Sequence, residues 1–209
     1  MNIVQFLGDP MGVAEKREAV RERLIDAAVA AVAAGGMASV RVKDVATAAG
    51  CSAGQVYTFF DDVDALMVAV NSRTIRDLDS HLAARALKPG AAPPERVLVS
   101  LAFAYLEFAD TRRRAWSALF ERAAASGKPA PDWHREEHLA LVRLAVDALR
   151  GLRPEWSDDQ IGELALSMFS MVHGIVSIGL QETVVSVPVS QLDRQLDLVV
   201  TSLCRGLPD

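Results

Sequence analysis

Cysteine is scarce: Cys51 and Cys204 are the only two in 209 residues. A pair so widely separated forms neither a zinc knuckle nor a disulfide scaffold, and it reads as two reduced thiols of a cytoplasmic protein. Aromatic residues are also few, at 6%, and the formal net charge of −5 provides no bulk basic excess to attract nucleic acid. Residues 1–10 lack a basic segment followed by a long apolar run, so no secretory signal is expected. The sequence contains no G-x-S-x-G elbow, P-loop or G-x-G-x-x-G. Neither catalysis nor a cofactor is therefore expected. Long hydrophobic runs are nearly absent. The uncharged stretch 164–181 is interrupted by Ser167, Ser170, His173, Gly174 and Ser177, which favours a buried helix over a membrane span.

What is present is apolar mass in helical period. Hydrophobic residues make up 51% of the chain, enough for a substantial core, and no alternating strand pattern appears. Val20, Leu24, Ala27, Ala31 and Ala34 step by four and three along one helix face that ends at Gly35-Gly36. Further helices are expected over 42–49, 52–58, 63–87, 95–109, 112–125, 133–150, 158–180 and 191–205, about nine in an all-α protein. Asp62 is placed to cap the fourth, Pro94 to start the fifth, and loops are expected at 126–131 and 183–190.

The penultimate helix is apolar on two faces. Ile161, Leu164, Met168, Met171, Ile175 and Ile178 form a heptad-like seam beside a second stripe of Ala165, Phe169, Val172, Val176 and Leu180. The last helix adds Leu192, Leu196, Val199 and Leu203. A helix apolar on both sides must be covered on both sides. A two-fold four-helix contact between identical chains does this; so does one large monomeric bundle.

The short pieces 42–49 and 52–58, joined at Gly50, have the spacing of a helix-turn-helix. Gly50 permits a left-handed turn, Ser52 can cap the second helix, and Ala53 and Gly54 leave room for close backbone approach to DNA. Gln55 has the geometry to pair with adenine, and Tyr57 and Thr58 can reach phosphates. The same spacing also serves purely structural helical hairpins.

The residues themselves resemble the N-terminal signature of the TetR family of transcriptional regulators. The positions that carry the resemblance are Val45-Ala46, Ala49-Gly50-Cys51-Ser52, Gly54, Val56-Tyr57 and Phe60, with Leu24, Ala27-Ala28 and Gly36 before them and Leu66 after. It is specific over about 17–70; beyond that, the stretch 104–109 and Val172-His173-Gly174 resemble one subgroup of the family's C-terminal domains. Two positions depart from the pattern. Val63, between Asp62 and Asp64, stands where the family usually carries a phosphate-anchoring Lys, and Arg41 stands where Thr or Ser is common. Loss of that cation weakens the electrostatic part of DNA binding, with Arg41, Lys43, Lys16, Arg17, Arg21 and Arg23 available to compensate.

The resemblance implies a helix-turn-helix DNA-binding domain over 13–62 and an effector-binding and dimerisation domain over 63–209, connected by helix 63–87. It implies a cytoplasmic homodimer that binds a double-stranded operator, has no membrane partner, and is a repressor released by a small, mainly apolar or aromatic ligand. Arg41, Lys43, Ser52, Ala53, Gln55, Tyr57 and Thr58 are expected at DNA. Phe103, Tyr105, Trp116, Phe120, Met168, Phe169 and His173, with Phe108 and Trp133 as further material, are expected at the ligand, or alternatively in the core. The seam residues Ile161, Leu164, Met168, Met171, Ile175, Ile178, Leu192, Leu196, Val199 and Leu203 are expected at the dimer interface.

Two competing readings have their own residues. Val63 favours a helical ligand-binding dimer that has lost DNA recognition. His134-Arg135-Glu136-Glu137-His138 matches H-x-x-E-H, the pattern of a metal-dependent hydrolase. Arg135 and Glu136 mark the same segment as an exposed helix face, the reading preferred here, with no metal site assigned.

Overall fold

The computed structural model describes residues 10–126, 129–181 and 187–208. Residues 1–9, where no secretory signal is expected, residues 127–128 and 182–186, on which parts of the expected loops fall, and residue 209 lie outside the described residues. Among those described there are ten α-helices and no strand: α1 (Pro10–Gly35), α2 (Val42–Ala48), α3 (Ala53–Val56), α4 (Val63–Arg85), α5 (Pro94–Thr111), α6 (Arg113–Ser126), α7 (Asp132–Arg143), α8 (Val146–Leu152), α9 (Asp158–Leu180) and α10 (Leu192–Gly206). The stretch 133–150, expected as one helix, is two: the chain turns at Leu144 and Ala145, and their amides bond back three residues, to Leu141 and Val142. Apolar periodicity continues across the turn, which is why the break leaves little trace in the sequence.

Local chemistry sets the helix ends. The Asp62 carboxylate accepts the Ala65 amide at 2.8 Å and starts α4. Ser157 and Gln160 cap α9 reciprocally, each side chain accepting the other's backbone N–H at 3.3 and 2.9 Å. Pro94 occupies the first turn of α5, where its missing N–H costs nothing.

Two hydrophobic cores result. The head core gathers Leu24, Ile25, Ala28 and Val32 of α1, Val45, Ala46 and Val56 of the hairpin, Phe60, and Leu66, Met67, Ala69 and Val70 of α4. The body core is centred on Phe108, Leu149, Ile161, Val176, Leu192 and Leu196, with α5 packed against α4, α8 and α10. α4 therefore belongs to both cores, its first half in the head and its second, through Leu78 and Leu82, in the body. Ala118 of α6 joins the head core, and α6 packs on both α1 and α4. At the far end, Gly179 lets α10 approach α9: a Cβ there would lie 2.7 Å from Leu192 Cδ1.

α9 is long and apolar enough to cross a membrane by length and composition. The expectation of a buried helix holds for one side only. Ile161, Ala165, Met168, Val172, Val176, Gly179 and Leu180 are buried, whereas Leu166 and Ile178 are 46% and 53% exposed.

Candidate nucleic-acid interface and ligand cavities

The hairpin is built from beneath. Val45, Ala46, Ala49, Val56 and Phe60 are buried, and this fixes α2 and α3 on the head. Gly50 makes the turn at φ 71°, the left-handed region where a side chain is strained. α3 is a single turn, shorter than the expected 52–58. Arg41, Lys43, Ala53 and Tyr57 come together around one surface concavity of about 550 Å³, which also takes in Val42 and Asp44. Tyr57 is 53% exposed at its edge.

Ser52, Gln55 and Thr58 lie on the same exposed edge, but their polar groups are engaged locally. Ser52 Oγ accepts the Gln55 amide at 3.3 Å, and Gln55 Oε1 accepts the Ser52 amide at 2.9 Å. Thr58 Oγ1 donates to the Gln55 carbonyl at 2.7 Å. In this arrangement the Gln55 oxygen caps α3, because the first amides of a one-turn helix have no other partner.

Three of the expected compensating cations, Arg17, Arg21 and Arg23, have contacts within the head. Arg17 donates to the Thr58 carbonyl at 3.0 Å and lies over the Phe59 ring. Arg23 donates to the Ala49 carbonyl at 3.1 Å and so caps α2. Arg21 pairs with Glu18 and Glu22 and lies over Phe60. These arginines brace the hairpin from α1, a role that sequence spacing does not disclose. Arg41 and Lys43 remain as the exposed cations of the hairpin itself. Val63 is 38% exposed between Asp62, which caps α4, and Asp64.

Two of the cavities of the body adjoin Tyr105: its ring lines one and its hydroxyl contacts Trp116 and His173 of the other, so it partitions them. The inner one, about 70 Å³, is apolar and is lined by Leu82, Leu98, Leu101, Leu141, Met168, Phe169 and Val172 with the Tyr105 ring. The outer cleft, about 320 Å³, is lined by Trp116, Phe120, His173, Ser177, Arg113 and Glu121. Of the expected ligand residues, Tyr105, Met168 and Phe169 line the inner cavity, and Trp116, Phe120 and His173 the outer. Phe103 is half-buried and lines neither, Phe108 is wholly core, and Trp133 is 52% exposed on α7. The aliphatic lining from α4, α5 and α7 was not foreseen, because Leu at helical spacing carries no mark separating cavity wall from core.

Polar contacts thread the partition. Trp116 Nε1–H donates to Tyr105 Oη at 2.9 Å, and Tyr105 Oη lies 2.9 Å from His173 Nδ1. Burial holds the Tyr105 hydroxyl well above the ordinary tyrosine range, only partly offset by the Trp116 bond. Burial also lowers the proton affinity of His173. The two groups are therefore both neutral at pH 7 and form a hydrogen-bonding pair.

His134 corrects a second expectation. The 134–138 segment is no uniformly solvated face: His134 is 2% exposed and points into the α4–α7 contact. Its Nδ1 lies 3.2 Å from Ser72 Oγ and 3.1 Å from Glu137 Oε2, while Ser72 Oγ donates to that same carboxylate. One hydroxyl proton serves Glu137, so the proton between His134 and its two acceptors is carried on Nδ1. His138 Nδ1–H donates back to the His134 carbonyl at 3.0 Å. Among the described residues no group of three or more His, Cys, Asp or Glu is arranged to hold a metal.

The expected interface seam divides. Ile161, Met168, Leu192 and Leu196 are at most 5% exposed in the chain's own core, and they cannot also face a partner. Leu164, Met171, Ile175, Val199 and Leu203 are half-buried, and Ile178 is exposed. Leu166 and Leu198, 46% and 64% exposed, extend the uncovered apolar surface of α9 and α10. On α9 the second stripe, Ala165, Val172, Val176 and Leu180, turns inward together with Ile161 and Met168; both stripes are apolar, and hydrophobicity alone does not say which does.

Comparison with known proteins agrees at both ends of the chain. Residues 24–70 match the profile of bacterial regulatory proteins, tetR family, and residues 98–203, half of the chain, match the tetracyclin repressor-like C-terminal domain. The HTH-type transcriptional regulator BetI of Brucella suis biovar 1 is 32% identical over 108 residues, covering 51% of this chain and 54% of BetI. The matched segment thus spans about half the length of that curated relative. A tetR-family transcriptional regulator from Streptomyces coelicolor superposes with a TM-score of 0.67 at 22% identity, covering 90% of this chain and 80% of that one. The multidrug binding protein EbrR, solved in complex with imidazole, superposes with a TM-score of 0.61 at 21% identity, covering 90% and 96%. At these identities the superpositions speak to the fold.

Proposed function

The chain belongs to the TetR family of bacterial transcriptional regulators, and from that premise we propose that it is a cytoplasmic homodimeric repressor released from its operator by a small, mainly apolar or aromatic ligand. The observation that carries this reading is α4, one unbroken helix shared between the core that fixes the hairpin and the core that encloses the cavities. Residues 13–62 form the DNA-reading unit, braced by the first half of α4, and the remainder binds the ligand and the second subunit. Tyr57, Arg41 and Lys43 hold phosphates and Ala53 allows close approach to the bases. The exposed apolar surface of α9 and α10, with Leu166, Ile178 and Leu198, meets its two-fold copy. Ligand binding then favours a spacing of the two heads that no longer matches successive major grooves, which requires unequal affinity for the two states.

The test is a titration of the protein against the duplex upstream of its own reading frame, with a shuffled duplex as control, at several salt concentrations. The expected result is preference for the upstream duplex with a steep loss of affinity as salt rises. Tyr57→Ala should weaken binding while sedimentation still gives a dimer. Equal binding of both duplexes, or a change of dimer mass with Tyr57→Ala, overturns the reading.

A further inference from the structure

The outer cleft owes its chemistry to a hydrogen-bond relay. Trp116 is a donor only, so the Tyr105 oxygen accepts its Nε1–H at 2.9 Å. Among the described residues the acceptor in reach of the Tyr105 proton is His173 Nδ1, at 2.9 Å, and Tyr105 donates there. His173 Nδ1 is thereby an acceptor, and the ring proton resides on Nε2. Since Nδ1 is drawn inward to Tyr105, Nε2–H is the nitrogen left to the cleft that His173 lines.

The rest of the cleft narrows what that donor meets. Phe120 lies with its centroid 4.1 Å from the His173 ring and 5.5 Å from Trp116. The three rings thus pack on one another into a continuous aromatic wall, against which a flat ring can lie. Arg113 is the cation of the cleft, but Asp110 holds it at 2.8 Å and the Leu180 carbonyl lies 3.4 Å away, with Glu121 also lining the cleft. These carboxylates offset the guanidinium, and nothing in the cleft requires an anion. Burial also keeps His173 unprotonated, so the donor is neutral.

We infer that the outer cleft binds a planar, uncharged aromatic carbonyl compound, its ring packed against the wall that Trp116 and Phe120 form and its carbonyl oxygen accepting the His173 Nε2–H bond that the Trp116–Tyr105 relay orients. The inference deepens the effector reading above and rests on it for the claim that this cleft serves a ligand. Tyr105 is a positioning residue: it sets the tautomer and leaves contact with the carbonyl to His173. Because its ring also walls the inner cavity, occupation of either cavity bears on the same partition.

The full-length chain, free of DNA, is titrated with 2-acetylnaphthalene and with 2-ethylnaphthalene, which has the same ring but no acceptor, following tryptophan fluorescence. The ketone is expected to bind about 5-fold more tightly, the increment of one neutral hydrogen bond. His173→Phe, which keeps a ring but loses the donor, should bring the two affinities together. Tyr105→Phe should narrow the gap between the two probes. Nitrogen NMR of the wild-type protein reads the tautomer directly and needs no variant to fold. Equal binding of the two probes, absence of binding, a ketone preference that survives His173→Phe, or a His173 proton on Nδ1 each overturns the inference. A ketone preference lost in His173→Phe supports it whether or not the ketone also releases DNA, so the regulatory reading stands or falls separately.

Discussion

His134→Ala is a sharp test of how the body grips α4. The ring is 2% exposed and its Nδ1–H serves Ser72 and Glu137, at 3.2 and 3.1 Å. Truncation removes a hydrogen bond with a net worth of about 1 kcal/mol. It also leaves a gap in the α4–α7 contact, for which about 2 kcal/mol is a moderate cost on the scale of buried truncations. The expected total is about 3 kcal/mol, a fall in melting temperature of roughly 6–12 °C for a chain of this length. His138→Ala is the control. Its ring is half-buried, packs edge-on to His134 at 4.8 Å and bonds only to the backbone of its own helix among the contacts described. Its loss should cost less than about 1 kcal/mol.

The assay is thermal unfolding at one fixed protein concentration, since any self-association shifts the midpoint. Ser72→Ala, alone and combined with His134→Ala, completes a cycle whose coupling should reach about 0.5–1.5 kcal/mol if the two side chains share one contact. Equal small losses for both histidines would refute the buried geometry and restore a solvated face. Stabilisation of the wild type by zinc, absent in His134→Ala, would instead reassign the pair to a metal site.

Two further outcomes follow from burial. Burial, with the charge of Glu95 added, pushes the Cys204 thiol up to about 11, whereas Cys51 sits half-buried in the hairpin turn. Maleimide at pH 8 should therefore label Cys51 first and Cys204 only on unfolding; equal rates would show α10 to be loosely packed. Because burial depresses the proton affinity of His173, the unfolded chain binds the extra proton below the ordinary histidine value of about 6.5. This group then contributes no pH dependence above about pH 7, and stability falls as pH drops from about 6.5 through the lower folded value. Urea midpoints at pH 7.5 and 5 should show a smaller difference in His173→Phe than in the wild type, and an unchanged difference would locate the acid sensitivity elsewhere.

What the sequence disclosed and what it hid divide along physical lines. The hairpin was legible because it rests on short-range signals: Gly50 for a positive φ, Ser52 for a cap, and Val45, Ala46 and Val56 for the underside. The caps of α4 and α9 and the proline start of α5 are local in the same sense. The commitments of Gln55 and Arg23 were not legible. Gln55 can face a base or close a capping box three residues back, and Arg23 can face a phosphate or reach a carbonyl across the helix packing. The residue type permits both, and only the folded neighbourhood selects. The phase of α9 was hidden for the opposite reason: its sequence carries too much apolar surface, and burial of Ile161 and Met168 rather than Leu166 and Ile178 is decided by where α5, α8 and α10 lie.

The connecting helix shows how much a polar residue in an apolar setting can decide. Asn71, Ser72 and Thr74 are all buried on α4, where the pattern of Leu66, Val70, Leu78 and Leu82 alone would let the helix pack in several registers. Asn71 Nδ2 donates to the Ala118 carbonyl of α6 at 3.2 Å, and Ser72 donates to Glu137 of α7. Arg73 completes the set by pairing with Asp26 at 3.1 Å and with Glu22, both on α1. Consecutive residues of α4 are thus tied to three different helices, one of them in the head. Apolar side chains tolerate small sliding, whereas a buried amide or hydroxyl that loses its partner is left with its desolvation cost. Sliding or tilting α4 must therefore break these bonds or carry α6 and α7 with it. Those helices supply Trp116 and Phe120 to the outer cleft and Leu141 to the inner cavity. Movement of α6 or α7 would consequently be carried to α4 and the head through hydrogen bonds of fixed register, between discrete arrangements rather than as a continuous drift.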